Sequence, residues 1–370
     1  MRALFLSGPL AWPPLLDLVA GAPLSAGAKP AALDGARVQG AKCCFPPLLP
    51  MAGGRAEGLL IHVEAQEHYD RLSFFAETLG RAPVPKHLDD GRAAVAFMGT
   101  GTPNAQARAF YIADWAARWG SLALLAATEI MGYFGHEPAG ALHWRVQMIL
   151  ARAGARIAAS QAAPARLRSD TAAEDVMETT RRDSHAGFFV TREYELRHPG
   201  FDGQMSPLLR REVFVATDAA IVLPYNAARD RVLLVEQFRM GPYGRGDPRP
   251  FVLEPVAGRV DAGETPEDAA LRECKEEAAL DLAGLEHVTS HYCSPGCSTE
   301  FYHCYLGLAD LPEKGQGCGG VATENEDIRT HVLGFEQAMR LITTGEANVG
   351  PLVLMLLWLQ RERARLRAIA

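Results

Sequence analysis

The segment from Thr265 to Leu280 constrains this chain more than any other, because it reads as a capped helix that gathers several carboxylates on one side. Thr265 is the expected N-cap, Pro266 takes the first helical position, and Glu267 and Asp268 meet the positive end of the helix dipole. Glu273 and Glu277 are four residues apart and Glu276 lies three from Glu273, so their side chains project from one face. Like charges so placed repel by roughly a few tenths of a kcal/mol per contact. Either a cation neutralises the cluster or the face is simply solvated, and the carboxylates taken alone favour the solvated face. Leu271 and Cys274 are expected to turn the other side of the helix into the core, which leaves the acidic face outward in a cleft.

Around this helix, the chain of 370 residues is long enough for two or three folding units of roughly 100 to 200 residues each, and two are expected. Residues 1–100 alternate short apolar runs (Ala3 to Leu6, Gly58 to Val63, Ala93 to Met98) with Gly- and Pro-rich turns, the rhythm of a small β-rich domain. Residues 101–178 form a helical connector and linker. Its apolar residues fall at helical spacing from Asn104 to Ser160 with a break near Glu137-Pro138, and Gln161 to Glu178 has little to bury. Residues 179–370 form the second domain, with strands expected over Gly187 to Leu196, Arg211 to Leu223, Arg231 to Arg239 and Pro250 to Gly258 before the helix. The fold class is mixed α+β.

Several function classes drop out on composition. A net charge of −7 offers no basic field for a polynucleotide, so nucleic acid is not an expected partner. The most apolar long stretch, Trp119 to Phe134, is short for a bilayer span and carries Glu129, so no membrane segment is expected. The start of the chain reads as a strand, not a signal peptide. Seven cysteines, an odd number without zinc-ribbon spacing, suit the reducing cytoplasm. Cys293, Cys297 and Cys304 with His303 could be drawn as a zinc site, but strand alternation should scatter them to opposite faces, and Cys43-Cys44 reads as core filling.

Gly258, five residues, Glu264, seven residues, then Arg272-Glu273-Cys274-Lys275-Glu276-Glu277-Ala278-Ala279-Leu280 resembles the Nudix box, with Ala279 where that family usually has Gly. If the left-handed helix exit of the family persists, Ala279 costs on the order of 1 kcal/mol. Val235-Glu236-Gln237-Phe238-Arg239, Glu254-Pro255-Val256-Ala257-Gly258, Ser294-Pro295-Gly296 and Glu324-Asn325-Glu326-Asp327-Ile328 resemble the ADP-ribose pyrophosphatase branch, in the same order. The resemblance implies an α/β/α sandwich and magnesium, with manganese able to replace it. Its ligands would be Glu273, Glu277, Glu326 and the carbonyl of Ala257, with Glu276 completing the catalytic cluster. Glu324 is the candidate base and Glu326 the alternative. Arg239 and Arg211 match phosphate-holding positions, or are structural ion pairs; Arg272 matches the arginine that orients the box glutamates. Phe188 matches an adenine-stacking aromatic, with core packing as the alternative, and Glu254 and Glu300 match sugar contacts. ADP-ribose is the implied substrate and a homodimer the implied assembly. The rivals are another nucleoside diphosphate derivative, such as an ADP-sugar or NADH, and a non-enzymatic ADP-ribose sensor. The intact glutamates argue against the sensor.

In the first domain, Phe5 to Leu10, Gly58 to Val63 and Leu72 to Glu77 resemble the gamma-glutamylcyclotransferase-like family, whose fold is a small β-barrel with flanking helices. The motif is eroded. Ser7 stands for a Tyr, Pro9 for a hydroxyl residue and Ser73 for an Asp, while Ala76 takes the place of the catalytic Glu, with Glu77 one residue late. A binding, folding or oligomerisation role is therefore favoured over cyclotransferase activity. The two-part arrangement is similar to Nudix proteins associated with bacterial tellurite resistance.

Overall fold

A computed structural model describes residues 2–40, 43–104, 106, 108–160, 166–169, 171–313, 318–319 and 326–368. The chain falls into two units, Met1–Asp170 and Thr171–Ala370.

In the first unit, β1 (Arg2–Ser7), α1 (Pro13–Ala20), β2 (Lys29–Val38), β3 (Leu48–Val63), α2 (Gln66–Thr78), β4 (Arg81–His87) and β5 (Ala93–Gly99) build a five-stranded sheet with flanking helices. Its order is β2-β3-β1-β5-β4, so β2 and β4 form its edges and the sheet is a half-barrel. The three apolar runs expected as strands lie in β1, β3 and β5. The helices α3 (Ile112–Gly132), α4 (Ala139–Leu142) and α5 (Val146–Ala159) belong to this unit. They do not stand apart as a connector, because Trp115, Trp119, Ala123, Ala126, Ala127 and Ile130 of α3 are buried in it. Glu129 of α3 accepts from Arg152 Nε of α5 at 3.1 Å, which pairs the two charges inside the helical layer. Among the described residues no helix is long and apolar enough to cross a membrane.

The second unit opens with a three-stranded antiparallel sheet, β6 (Met177–Ala186), β7 (Val190–Arg197) and β8 (Leu209–Val215). β6 runs into the segment expected as linker. Nine of its ten residues are exposed, so no apolar alternation announces it, and its pairing with β7 alone makes it a strand. The run Arg211 to Leu223 is two strands instead of one: β8 ends at Val215 and β9 (Asp218–Asn226) starts a different sheet. Thr299 holds the break, its hydroxyl accepting from Ala216 N at 2.9 Å and donating to Ala216 O at 3.0 Å. One side chain thus satisfies both backbone groups that strand pairing gives up.

The main sheet adds β10 (Arg231–Phe238), then α6 (Met240–Arg245), β11 (Phe251–Glu254), β12 (Val256–Arg259), α7 (Pro266–Ala278), β13 (Gly284–Tyr292), β14 (Phe301–Leu308), β15 (Cys318–Gly319), β16 (Ile328–Gly334), α8 (Phe335–Thr344) and α9 (Gly350–Ala368). The strand order is β13-β14-β9-β10-β16-β15. Alternation along β9 feeds two cores: Ala220 and Val222 pack with Ala269, Ala270, Cys274 and Ala278 of α7, while Ile221, Leu223 and Tyr225 pack under α8 and α9. The result is a sheet between helical layers.

β9 and β10 pair only at Arg231↔Asn226 and Val232↔Tyr225 and then part. β11 takes the free edge of β10 and β12 takes the free edge of β9. The Leu253 to Ala257 stretch therefore sits in the fork of a V, with backbone groups that a continuous sheet would have consumed.

Ala279 ends α7 at φ 52°, ψ 32°, one of two non-glycine residues with positive φ among the described residues, the other being Asp230. The left-handed exit persists without its usual glycine. Ala279→Gly is expected to raise stability by about 1 kcal/mol, less whatever freedom the glycine adds to the unfolded chain. A chemical-denaturation midpoint that stays put or falls would show that this exit carries no strain.

Candidate active site

α7 delivers acids to the fork because its ends are fixed locally and its inner stripe is small. Thr265 Oγ1 accepts from Asp268 N at 3.1 Å, the capping expected of it. The buried stripe is Ala269, Ala270, Cys274, Glu277 and Ala278. Cys274 faces inward as expected. Leu271 does not: it is 45% exposed, because it lies about 100° around the helix from the row that runs through Ala270, Cys274 and Ala278. Nor does the whole acidic face turn outward, since Glu277 shares the buried row and is 2% exposed. The alanines beside it let the helix lie close on β9 and β12, and that proximity carries the carboxylate under the fork.

There Ala257 N donates to Glu277 Oε2 at 3.2 Å. Burial pushes the Glu277 carboxyl up to about 8; the Ala257 amide opposes this, and the neighbouring Glu273 and Glu326 add to it. Glu273 lies against Gly258, where any Cβ would stand 1.8 Å from its Oε1, so the close approach needs a glycine. Gly319 does the same for the far end of the helix, since a Cβ there would stand 2.2 Å from the Glu277 carbonyl oxygen. The Glu273 carboxyl is also raised by burial, against the pull of Arg272.

Arg272 organises the remainder. It forks onto Glu264 through Nε to Oε1 at 2.9 Å and Nη2 to Oε2 at 3.0 Å. Its Nη1 reaches Glu273 at 2.6 Å and Glu276 at 3.0 Å, and Nη2 also donates to Arg259 O at 3.0 Å. One rigid guanidinium therefore fixes the directions of three carboxylates and a strand end. The anchoring role of Glu264 was not read from the sequence; its signal was a second acid eight residues before the box arginine.

Across the fork Arg239 Nε meets Glu254 Oε2 at 2.7 Å, so two residues expected to touch substrate are joined to each other. Burial raises Glu254 even against that arginine. Ala257, Glu273, Glu276, Glu277, Glu326, Arg239 and Glu254 are thus gathered by direct contacts or by mutual electrostatics. Three expected residues are not among these contacts. Arg211 is exposed on β8 and its Nη1 donates to Arg210 O at 2.9 Å. Phe188 is 43% exposed at the β6–β7 turn, edge-on to Phe189 with the Arg259 guanidinium 5.8 Å from its ring centre, so it is not core. Glu300 precedes β14 and accepts from Cys293 Sγ at 2.9 Å and Tyr302 OH at 3.1 Å, two partners that the sequence did not suggest. Glu324 lies outside the described residues.

Among the described residues, no three His, Cys, Asp or Glu side chains already converge at ligand distance. Cys43, Cys44, Cys274, Cys293, Cys297 and Cys304 are free thiols. Cys304 is buried beneath α9 while His303, on the opposite face of β14, bonds Asp218 at 3.1 Å, so the drawn zinc cluster is scattered as expected. The donor set at the fork nevertheless suits a hard divalent cation. It is all oxygen, it holds a buried carboxyl whose ionisation is poorly compensated by its neighbours, and Gly258 lets the Glu273 carboxylate lie against the strand.

Residues 215–353 match the NUDIX domain model. ADP-ribose pyrophosphatase of Escherichia coli K12 is 39% identical over 193 residues, covering 52% of this chain and 91% of that protein. The Haemophilus influenzae ADP-ribose pyrophosphatase is 38% identical over 50% of this chain and 85% of its own length. A GDP-mannose pyrophosphatase of Escherichia coli is 34% identical over 41% of this chain and 78% of its own. With a relative matched over nearly its whole length and the acidic helix seated at the fork of the sheet, this chain belongs to the Nudix hydrolases.

Proposed function

We propose that the second unit hydrolyses the pyrophosphate bond of ADP-ribose to AMP and ribose 5-phosphate, with magnesium, or manganese in its place, held by Glu273, Glu277, Glu326 and the Ala257 carbonyl. The observation that carries this is Glu277: a carboxylate 2% exposed, crowded by two further acids, for which ionisation is costly until a cation joins it. The substrate rests on the matched relatives, which are named for ADP-ribose. A bound divalent ion would draw charge from the diphosphate oxygens and lower the pKa of a water.

The chain's own residues do the rest. Arg272 keeps Glu273 and Glu276 pointed, and Gly258 keeps Glu273 close to the strand. Arg239, held by Glu254, offers its remaining donors to a phosphate. Glu324, or Glu326 in its place, takes the proton of the attacking water; the bridging P–O bond breaks and two phosphate monoesters leave. Phe188, half-exposed, offers its ring to a base, and Arg211 and Glu300 complete the substrate contacts from outside the fork. A homodimer would bring Phe188 and Arg211, which lie on the sheet before the box, to a partner's site. The free thiols fit a cytoplasmic setting. For the first unit a binding role fits better than cyclotransferase chemistry, because Ala76 is buried where an acid is needed and Glu77 is exposed.

Full-length protein with ADP-ribose and magnesium should release AMP, and a chelator should stop it. ADP-glucose, NADH and GDP-mannose tested beside it rank the rival substrates. Binding of ADP-ribose with no AMP formed would turn the reading to a sensor.

A further inference from the structure

The first unit buries a cation that no acid answers. Arg81, at the start of β4, is 6% exposed. Its Nη2 donates to the carbonyls of Phe45 at 2.9 Å and Pro46 at 3.2 Å, but its Nε has no partner. Among the described residues no carboxylate lies within ion-pair distance of it. Burial lowers its pKa to about 10, which still leaves it charged at neutral pH. Cys43 is the acidic group in electrostatic contact with it, and although part of Cys43 reaches solvent, desolvation of the thiol outweighs the pull of Arg81 and keeps it neutral. A buried charge without a counter-charge is among the most costly features a fold can hold.

Arg81 also lines a cavity with Phe5, Leu6, Ser7, Leu10, Leu48 and Phe97. The cavity has about 10 Å³ of free space. That is room for one water or one small anion and not for a larger organic ligand. A water in the cavity would leave the guanidinium charge unanswered, whereas an anion answers it. Carbonyl dipoles from Phe45 and Pro46 already occupy one side of the guanidinium, and the other lining side chains are apolar apart from Ser7, which strengthens the attraction for a monovalent ion.

We infer that Arg81 holds a small monovalent anion, a halide or a one-carbon carboxylate, in this cavity. The test uses the full chain in sodium chloride, bromide, formate or gluconate at equal ionic strength. Chloride, bromide or formate should raise the melting temperature saturably while gluconate, too large for the cavity, should not, and Arg81→Met should remove the difference. The ion that acts at the lowest concentration separates halide from carboxylate. Crystals grown in bromide should show an anomalous peak in the cavity beside the Arg81 guanidinium, unless formate alone stabilises the protein. This settles the matter even if Arg81→Met does not fold. Equal melting in all four salts, or a salt effect that survives in Arg81→Met, overturns the inference.

Discussion

Glu277→Gln should lower kcat/KM for ADP-ribose by about three orders of magnitude without lowering the melting temperature of the chelator-treated protein. The two halves of this expectation come from one observation. The carboxylate is 2% exposed and receives the Ala257 amide at 3.2 Å, so an amide of the same shape fits and can still accept that hydrogen bond. It cannot supply the negative charge. Losing one charged ligand from a site that must organise a cation against a diphosphate removes several kcal/mol of transition-state stabilisation, which is 10²- to 10⁴-fold in rate. Stability should move the other way or not at all, because the variant no longer buries an ionisable acid. Steady-state kinetics beside a thermal melt separates this from mere unfolding: activity within tenfold of wild type would remove Glu277 from the metal site.

How much of this was legible in the sequence depends on how local each feature is. The start of α7 was readable because an N-cap, a proline at the first position and acids in the first turn all act within four residues of one another. The Ala279 strain was readable through the resemblance to the Nudix box, whose usual glycine at this position marks a left-handed helix exit. The position of Glu277 was not, because its burial depends on β9 and β10 parting after two paired residues and on β11 and β12 filling the gap. No pattern within the helix encodes that fork. Leu271 misled for a related reason. A residue three before Cys274 reads as lying on the same face, but a stripe of small alanines one position over lets the helix dock closer there, and contact area favoured the tighter seat. β6 was invisible because an exposed strand paired on one side needs no apolar alternation.

The acid cluster should also make the stability of the chelator-treated protein fall as pH rises, the reverse of the usual carboxylate behaviour. The folded Glu277 carboxyl titrates at about 8 against an ordinary value of 4.5. Below 4.5 both folded and unfolded chains carry the proton and this group costs nothing. Between 4.5 and 8 the unfolded chain has released a proton that the folded chain retains, so each pH unit in that window costs up to about 1.4 kcal/mol, a few kcal/mol in total. Above 8 the loss is complete. Glu273 and Glu254, both raised by burial, add to the fall. Magnesium binds the ionised acids of the folded state, so it should stabilise the protein strongly at the upper end of the window and little at the lower end. Urea denaturation across this range, with chelator and with magnesium, reads both effects, and Glu277→Gln should flatten the chelator curve more than Glu273→Gln does. If magnesium raised stability equally at both ends, or the slope were untouched by Glu277→Gln, the cation would not be binding where the fork places these acids.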